Sequence, residues 1–465
     1  MNRRDFILGA ASAASFPLLG GSSDEVRLRV GIVTDTHVEN TAHVEHFESA
    51  LRYFRDRGVD AVMHVGDISG WGLVADWKAV AAAWDRVFPG SRGSDGQEVV
   101  RLFTTGNHDF AGWRYETDEL HAHGCGMDET LARNDLPKLW KECFGIEFAP
   151  VTRWTVKGYD FLSCHWSDRR AIVDWMKAHG GELDPSRPFF FFQHGNAEGT
   201  VAGGNWGDKG AALEAFANRP NAVVIGGHTH LSMTDEHQIW QGAFTAIGAG
   251  SMSWTELPFD CENGRPRDPK TARIEQMLPL DDRVRRTNRQ GLVMSVYDDR
   301  IVFERRDFTN GVELGDPWIV PIPIGRGKPY AWDVRATTMP VPQFAPGATV
   351  EAKTLVGRDR RYNLSIQMAL DFPTARYGGV RAYDYEIRSE TERGVNKVLC
   401  RIVSPTYNRG PSCECAAQRA LVSVRELPEG TPYRFVVYPR NCFGVAGEPI
   451  RSCVWTRHPA EEIPE

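Results

Sequence analysis

Five short strings of Asp, His and Asn recur along this chain: Asp35-Thr36-His37, Gly66-Asp67, Gly106-Asn107-His108-Asp109, Gln193-His194-Gly195 and Gly227-His228-Thr229-His230. Carboxylate oxygen, amide oxygen and neutral imidazole are the donors that hard and borderline divalent metals accept. Two cations about 3.5–4 Å apart can clamp the attacking and leaving oxygens of an in-line displacement at phosphorus. One carboxylate must bridge them. The set holds enough donors for that work and leaves one histidine over. Taken singly, Asp35 and Asp67 could be helix N-caps, Asn107 a turn residue, and His228 and His230 surface loop residues. Their joint recurrence is what makes them a set.

Each string follows an apolar run, at residues 30–33, 61–65, 100–104, 189–192 and 222–225. Between the runs, residues 42–57 have helical spacing, with Val44, Phe47, Leu51 and Phe54 on one face, and residues 73–88 repeat it with Trp77, Val80 and Trp84. This β-α-β-α-β rhythm predicts an α/β sheet with helices on its faces. Ligands of such sheets bind at the carboxyl ends of the strands, and the adjacent glycines permit sharp exits and close backbone approach. Residues 111–150 read as a polar insertion. A hairpin follows at 154–156 and 159–163, then a helix at 170–179, a strand at 188–193, a helix at 211–217, and strands at 222–225, 243–247, 291–297 and 301–305. Residues 317–350 are rich in Pro and Gly and mark a boundary. Beyond it, short strands at 362–370, 382–388, 397–403, 420–424 and 433–438 predict a β-sandwich.

In this order the strings resemble the calcineurin-like metallophosphoesterase family, whose pattern reads D-x-H, GD, GNH, H, GHxH. The resemblance covers about residues 28–310 and implies a β-sandwich flanked by helices. It also implies that Asp35, His37 and His230 hold one metal, that Asn107, His194 and His228 hold a second, and that Asp67 bridges them. His108 would be no ligand but the acid at the leaving-group oxygen, with Asp109 orienting its imidazole. The implied cofactors are two divalent or transition ions, with Mn, Fe and Zn all open. The implied reaction is hydrolysis of a phosphate monoester or diester by a metal-bound hydroxide. Two departures stand out. Gln193-His194-Gly195-Asn196 replaces the frequent His-x-Pro. Gly70 stands where purple acid phosphatases, a related branch, carry a Tyr, which argues against a tyrosinate-ligated ferric site. The C-terminal region resembles a fibronectin type III module through Leu427-Pro428-Glu429-Gly430-Thr431, Tyr433 and Asn441-Cys442-Phe443-Gly444. In such sandwiches a Tyr at this corner bonds back to the chain.

The bulk numbers set limits. At 465 residues, two or three domains are expected. Apolar residues make up 42% and charged residues 25%, as in a folded globular protein. A net charge of −7 argues against general nucleic-acid binding, though not against a nucleotide as substrate. No apolar run reaches the roughly 18 residues a membrane span needs. Arg3-Arg4-Asp5-Phe6 before a weakly apolar Ala- and Ser-rich stretch resembles a twin-arginine signal, with export to the periplasm or beyond. The expected division is therefore a signal at 1–25, a catalytic domain at 26–330 and a sandwich at 331–465. Nine cysteines, five of them after residue 399, would permit disulfides in an oxidising compartment. Cys413 and Cys415 lack the second ligand pair of a zinc finger. The competing expectation is a secreted binding protein in which the metals are structural and the sandwich does the work. The phosphorylated substrate and the oligomeric state are not read from the sequence.

Overall fold

The computed structural model describes residues 24–110, 129–201, 207–256, 288–325, 327–358, 364–410, 417–423 and 427–456. The signal-like segment up to residue 23, His121, His123, Cys125, Cys261, Cys413, Cys415, Asn205 and Trp206 lie outside the described residues.

The chain starts with three parallel strands, β1 (Leu28–Val33), β2 (Ala61–His64) and β3 (Val100–Phe103), joined by the helices α1 (Thr41–Asp56) and α2 (Val74–Val87). Parallel neighbours need such crossovers. The Asn40 side chain caps α1 by accepting from the His43 N–H, and the expected face of Val44, Phe47, Leu51 and Phe54 is buried. Helix α3 (Leu136–Phe144) lies in the stretch read as a polar insertion. It is capped by Asp135, stopped by Gly145 at φ 69°, and buries Leu139, Trp140, Cys143 and Phe144 beside α2. One short apolar stripe between polar flanks is a weak periodic signal, which explains the miss.

A second sheet follows: β4 (Thr152–Val156), β5 (Tyr159–Ser163), β6 (Phe189–Phe192), β7 (Ala222–Gly226), β8 (Ile239–Gln241) and β9 (Thr245–Gly248), in spatial order β4-β5-β6-β7-β9-β8. Helices α4 (Ala171–His179) and α5 (Ala211–Ala215) cover its outer face. The chain then returns to the first sheet with β10 (Gln290–Val296), β11 (Arg300–Asp307), β12 (Val312–Glu313) and β13 (Trp318–Pro321). The five site-bearing strands are thus split between two stacked sheets rather than lined along one. The run Phe189–Phe192 shows why it reads as unbroken apolar sequence. Phe190 and Phe192 face the core shared with Val30, Ile32 and Met63, whereas Phe189 and Phe191 face the helices. A strand covered on both faces has no polar side to show.

Helix α6 (Trp332–Thr338) docks on this domain, with Arg335 Nη2 2.5 Å from Glu236 Oε2 and the Trp332 indole donating to the Ile239 carbonyl. The rest is all-β. Strands β14 (Glu351–Arg358), β15 (Leu364–Pro373) and β18 (Ala417–Ser423) form one sheet. Strands β16 (Asp384–Thr391), β17 (Gly394–Val403), β19 (Pro432–Arg440), β20 (Ile450–Arg451) and β21 (Trp455–Thr456) form the other. Leu370, Phe372, Tyr385, Ile387, Phe435 and Val437 share the core of this region. The Tyr433 hydroxyl donates to the Pro428 carbonyl at 3.4 Å, the corner bond the sequence suggested. Among the described residues Cys143, Cys164, Cys442 and Cys453 are free thiols, and no helix is long and apolar enough to cross a membrane.

Candidate metal centre

Asp35 and His37 follow β1, Asp67 follows β2, Asn107 and His108 follow β3, His194 follows β6, and His228 and His230 follow β7. The two sheets bring their carboxyl ends together, and the side chains converge. His230 Nε2 lies 3.0 Å from Asp35 Oδ1 and 3.1 Å from His37 Nε2. His37 Nε2 lies 3.6 Å from Asp35 Oδ1 and 3.5 Å from Asp67 Oδ2. His194 Nε2 lies 3.0 Å from Asp67 Oδ2 and 3.7 Å from Asp35 Oδ1. The ligand atoms fall into three neighbouring groups, each within 4.8 Å: Asp35, His37 and His230; Asp67, His194 and His228; and His37, Asp67 and His108. Two of these groups could each hold a cation, with Asp67 between them.

Convergence on this scale strains the backbone. Asp35, His37, Asp67, His228 and His230 all have positive φ, from 41° to 72°. Such conformations cost a non-glycine residue of order 1–3 kcal/mol and persist only where the surroundings over-determine them. The neighbouring glycines answer a different need. A Cβ on Gly106 would sit 2.1 Å from Asp67 Oδ1, and one on Gly227 would sit 2.6 Å from Asp35 Oδ2. Either would push a carboxylate out of place.

The polar atoms left over say what the site lacks. Asp35 Oδ1, Asn107 Oδ1 and His194 Nε2 are buried without a hydrogen-bond partner, although His194 Nε2 lies close to Asp67. Leaving a buried polar atom unsatisfied costs about 1–3 kcal/mol, and cations bound in the Asp35 and His194 groups would supply what these atoms lack. The other ring nitrogens are already used. His194 Nδ1–H donates to the Val65 carbonyl at 2.9 Å, and His230 Nδ1–H donates to the Trp254 carbonyl at 3.1 Å. Metal-ligating histidines characteristically hold their second nitrogen this way, which aims the Nε2 lone pair inward. The donor set therefore fits bound metal.

Charge follows the same geometry. Burial would raise the Asp35 carboxyl, but the His230 and His194 imidazoles beside it hold it well below the usual carboxylate range. Burial also works against Asp67, and His194 again prevails and lowers it. Burial disfavours a charged His194, yet Asp67 and Asp35 push it up to about 9. Burial brings His37 and His228 down to about 4. Opposed groups packed this closely are a functional-site signature.

His108 sits at the rim. Its backbone N–H donates to Asp67 Oδ1 at 2.7 Å, and its Nδ1–H donates to the Gly70 carbonyl at 2.9 Å. That corrects the expectation for Asp109. The Asp109 carboxylate accepts from the backbone N–H groups of Gly106, Ser69 and Ile68 and from the Trp77 indole, while the His108 Nδ1 is held by the Gly70 carbonyl. Burial raises it to about 6. Asp109 ties the loop after β2 to the loop after β3, and the Gly70 carbonyl orients the imidazole. His64 and His165 are core residues. The former bonds Thr36 Oγ1 at 3.0 Å, and the latter stacks on Phe148 at 3.9 Å and bonds Thr105. Asn196, from the unusual loop after β6, donates to the Gly227 carbonyl and braces the last histidine pair.

Spacing revealed nothing of the walls. Trp254 packs 4.2 Å from the His230 ring and 4.6 Å from that of His37. Trp166 packs 5.2 Å from His228 and 5.7 Å from His194. Neither lies in a recurrent string, and no sequence signal marks them.

Residues 28–232 match the family model described as calcineurin-like phosphoesterase. No curated protein matches the chain. Similar solved structures include a dimetal phosphatase from Danio rerio, at 12% identity and TM-score 0.38, covering 64% of this chain and 99% of that one. A purple acid phosphatase from yellow lupin (Lupinus luteus) seeds aligns at 12% identity and TM-score 0.41, over 63% of this chain and 53% of that one. GAP50 of Plasmodium, an inner-membrane-complex anchor, aligns at 12% identity and TM-score 0.35, over 63% and 88%. Residues 28–232 thus resemble the calcineurin-like phosphoesterases, and the donor groups of the candidate metal centre all lie within them.

Proposed function

We propose that this protein is exported by the twin-arginine route and hydrolyses a phosphate monoester or diester at a dinuclear metal centre. In this reading Asp35, His37 and His230 hold one metal, Asn107, His194 and His228 hold the other, and Asp67 bridges them. The grouping of ligand atoms around Asp67, together with the unsatisfied buried atoms of Asp35, Asn107 and His194, carries the reading. When bound, the metals supply charge neutralisation at phosphorus and an activated water.

The chain's own groups do the rest. The Val65 and Trp254 carbonyls keep the His194 and His230 rings in their ligating tautomer. The Asp67 carbonyl accepts from the His37 N–H after β1 and its carboxylate accepts from the His108 N–H after β3, which holds His108 beside the bridging carboxylate. With Nδ1 held by Gly70, the Nε2 of His108 is the atom that delivers a proton to the departing oxygen. The paired arginines Arg3-Arg4 support export, and the Tyr433 corner bond supports a fibronectin type III-like C-terminal region.

The direct test is a panel of monoesters, diesters and nucleotides offered to purified protein of known metal content. Turnover that rises with metal loading to two ions per chain is expected. Two bound metals without turnover on any ester would favour the secreted binding protein instead.

A further inference from the structure

Arg169 stands at the end of the turn Trp166–Asp168, just before α4. Its guanidinium lies 3.8 Å over the Trp166 ring, and that ring packs on His228 and His194. A guanidinium carries five N–H donors and seldom goes without an acceptor. Among the described residues none accepts from Arg169, and the neighbouring groups are engaged elsewhere. Arg170 pairs with Glu214, and Asp168 accepts from Ser167. Asp208 draws Arg169 only from a distance, because its oxygens already accept from Gln193 and from the backbone of Glu198, Gly210 and Ala212. Arg169 is also only partly exposed, so water serves it incompletely.

We propose that Arg169, stacked on Trp166, is an anion-binding subsite for a second negatively charged group beside the phosphoryl group being transferred, so that the substrate carries a diphosphate or comparable paired anion. The inference rests on the phosphoester reading of the metal centre. Its placement argues for the second group rather than the first. The guanidinium is one aromatic ring removed from the histidines that face the metals, whereas the reacting phosphoryl must lie among them. Stacking holds the guanidinium plane fixed and leaves its edge donors open, the arrangement that suits bidentate recognition of a phosphate. The Trp166 face also gains from the cation, so Arg169 is held in place before any ligand arrives.

The test compares two non-hydrolysable probes, methylenediphosphonate and methylphosphonate, by titration calorimetry on metal-loaded full-length protein. Wild type should prefer the diphosphonate. Arg169→Gln should weaken the diphosphonate by roughly tenfold to a hundredfold, the scale of a charged hydrogen bond, and the monophosphonate by far less. Arg169→Lys should recover part of the preference through charge, and Trp166→Leu should lose part through positioning. Equal weakening of both probes by Arg169→Gln would mean that the guanidinium grips the reacting phosphoryl itself, and the subsite assignment would fall. An unchanged preference would overturn it too. If neither probe bound metal-loaded wild type, the phosphoester reading would fail first, and the subsite with it.

Discussion

Two clusters of Asp and His in this molecule have the same ingredients and opposite characters. One is the metal centre. The other lies where the catalytic and C-terminal regions meet, and comprises Asp235, His237 and Cys442, whose ligand atoms also lie within 4.8 Å of one another. At this second cluster every carboxylate oxygen is paired. Asp235 Oδ1 accepts from the His237 backbone and ring, and Oδ2 accepts from the Tyr383 hydroxyl at 2.7 Å. The Cys442 thiol rests 3.4 Å from the Met339 sulfur, and burial raises its pKa well above the usual thiol range. None of these three residues has a positive φ or an orphaned buried atom. The metal centre has both. Residue type alone does not make a metal site. Unsatisfied donors held by a strained backbone do, because folding bears that cost only where a ligand returns it.

The sharpest way to break this comparison is to remove one carboxylate from each cluster. Asp67→Asn should abolish paired metal binding and lower phosphoesterase turnover by about 1000-fold or more, since metal catalysis is worth several kcal/mol. Elemental analysis and a chromogenic phosphate ester read both effects, and retention of two metals would show that Asp67 is not the bridge. Next in size is His108→Ala, which should keep its metals and slow turnover by roughly 100-fold or more, most for esters with poor leaving groups. Equal rates on all esters would remove the acid role. Asp235→Ala in the other cluster should leave metal content untouched while destabilising the protein by about 2–3 kcal/mol, through the lost buried hydrogen bonds. A thermal melt reads this, and a loss of metal would erase the distinction between the two clusters.

The smallest effect concerns a histidine in neither cluster. Burial against Phe148 holds His165 at about 3, below its ordinary value near 6.5. A depressed histidine makes the unfolded chain bind more protons between those values, so stability is present above pH 6.5 and lost as pH falls toward 3. Going from pH 7 to pH 5 should cost about 2 kcal/mol from this group. His165→Phe should flatten that part of the acid slope in denaturant titrations, and an unchanged slope would place the titration elsewhere.

The sequence by itself determined the donors, their order and their position after apolar runs, because strand-sized apolar segments and the residues that end them are local properties. The helical face of Val44, Phe47, Leu51 and Phe54 was legible for the same reason. Only the tertiary structure decided that the strands divide between two sheets, since the fully covered run Phe189–Phe192 has no polar side to reveal its partner. It also decided which carbonyl orients each imidazole. Asp109 sits next to His108 in the chain, yet its oxygens are claimed by backbone N–H groups that only the packed loops bring near. Trp166, Trp254 and Arg169 joined the site the same way. Their place depends on distances between segments far apart in the chain, which no spacing along the sequence encodes.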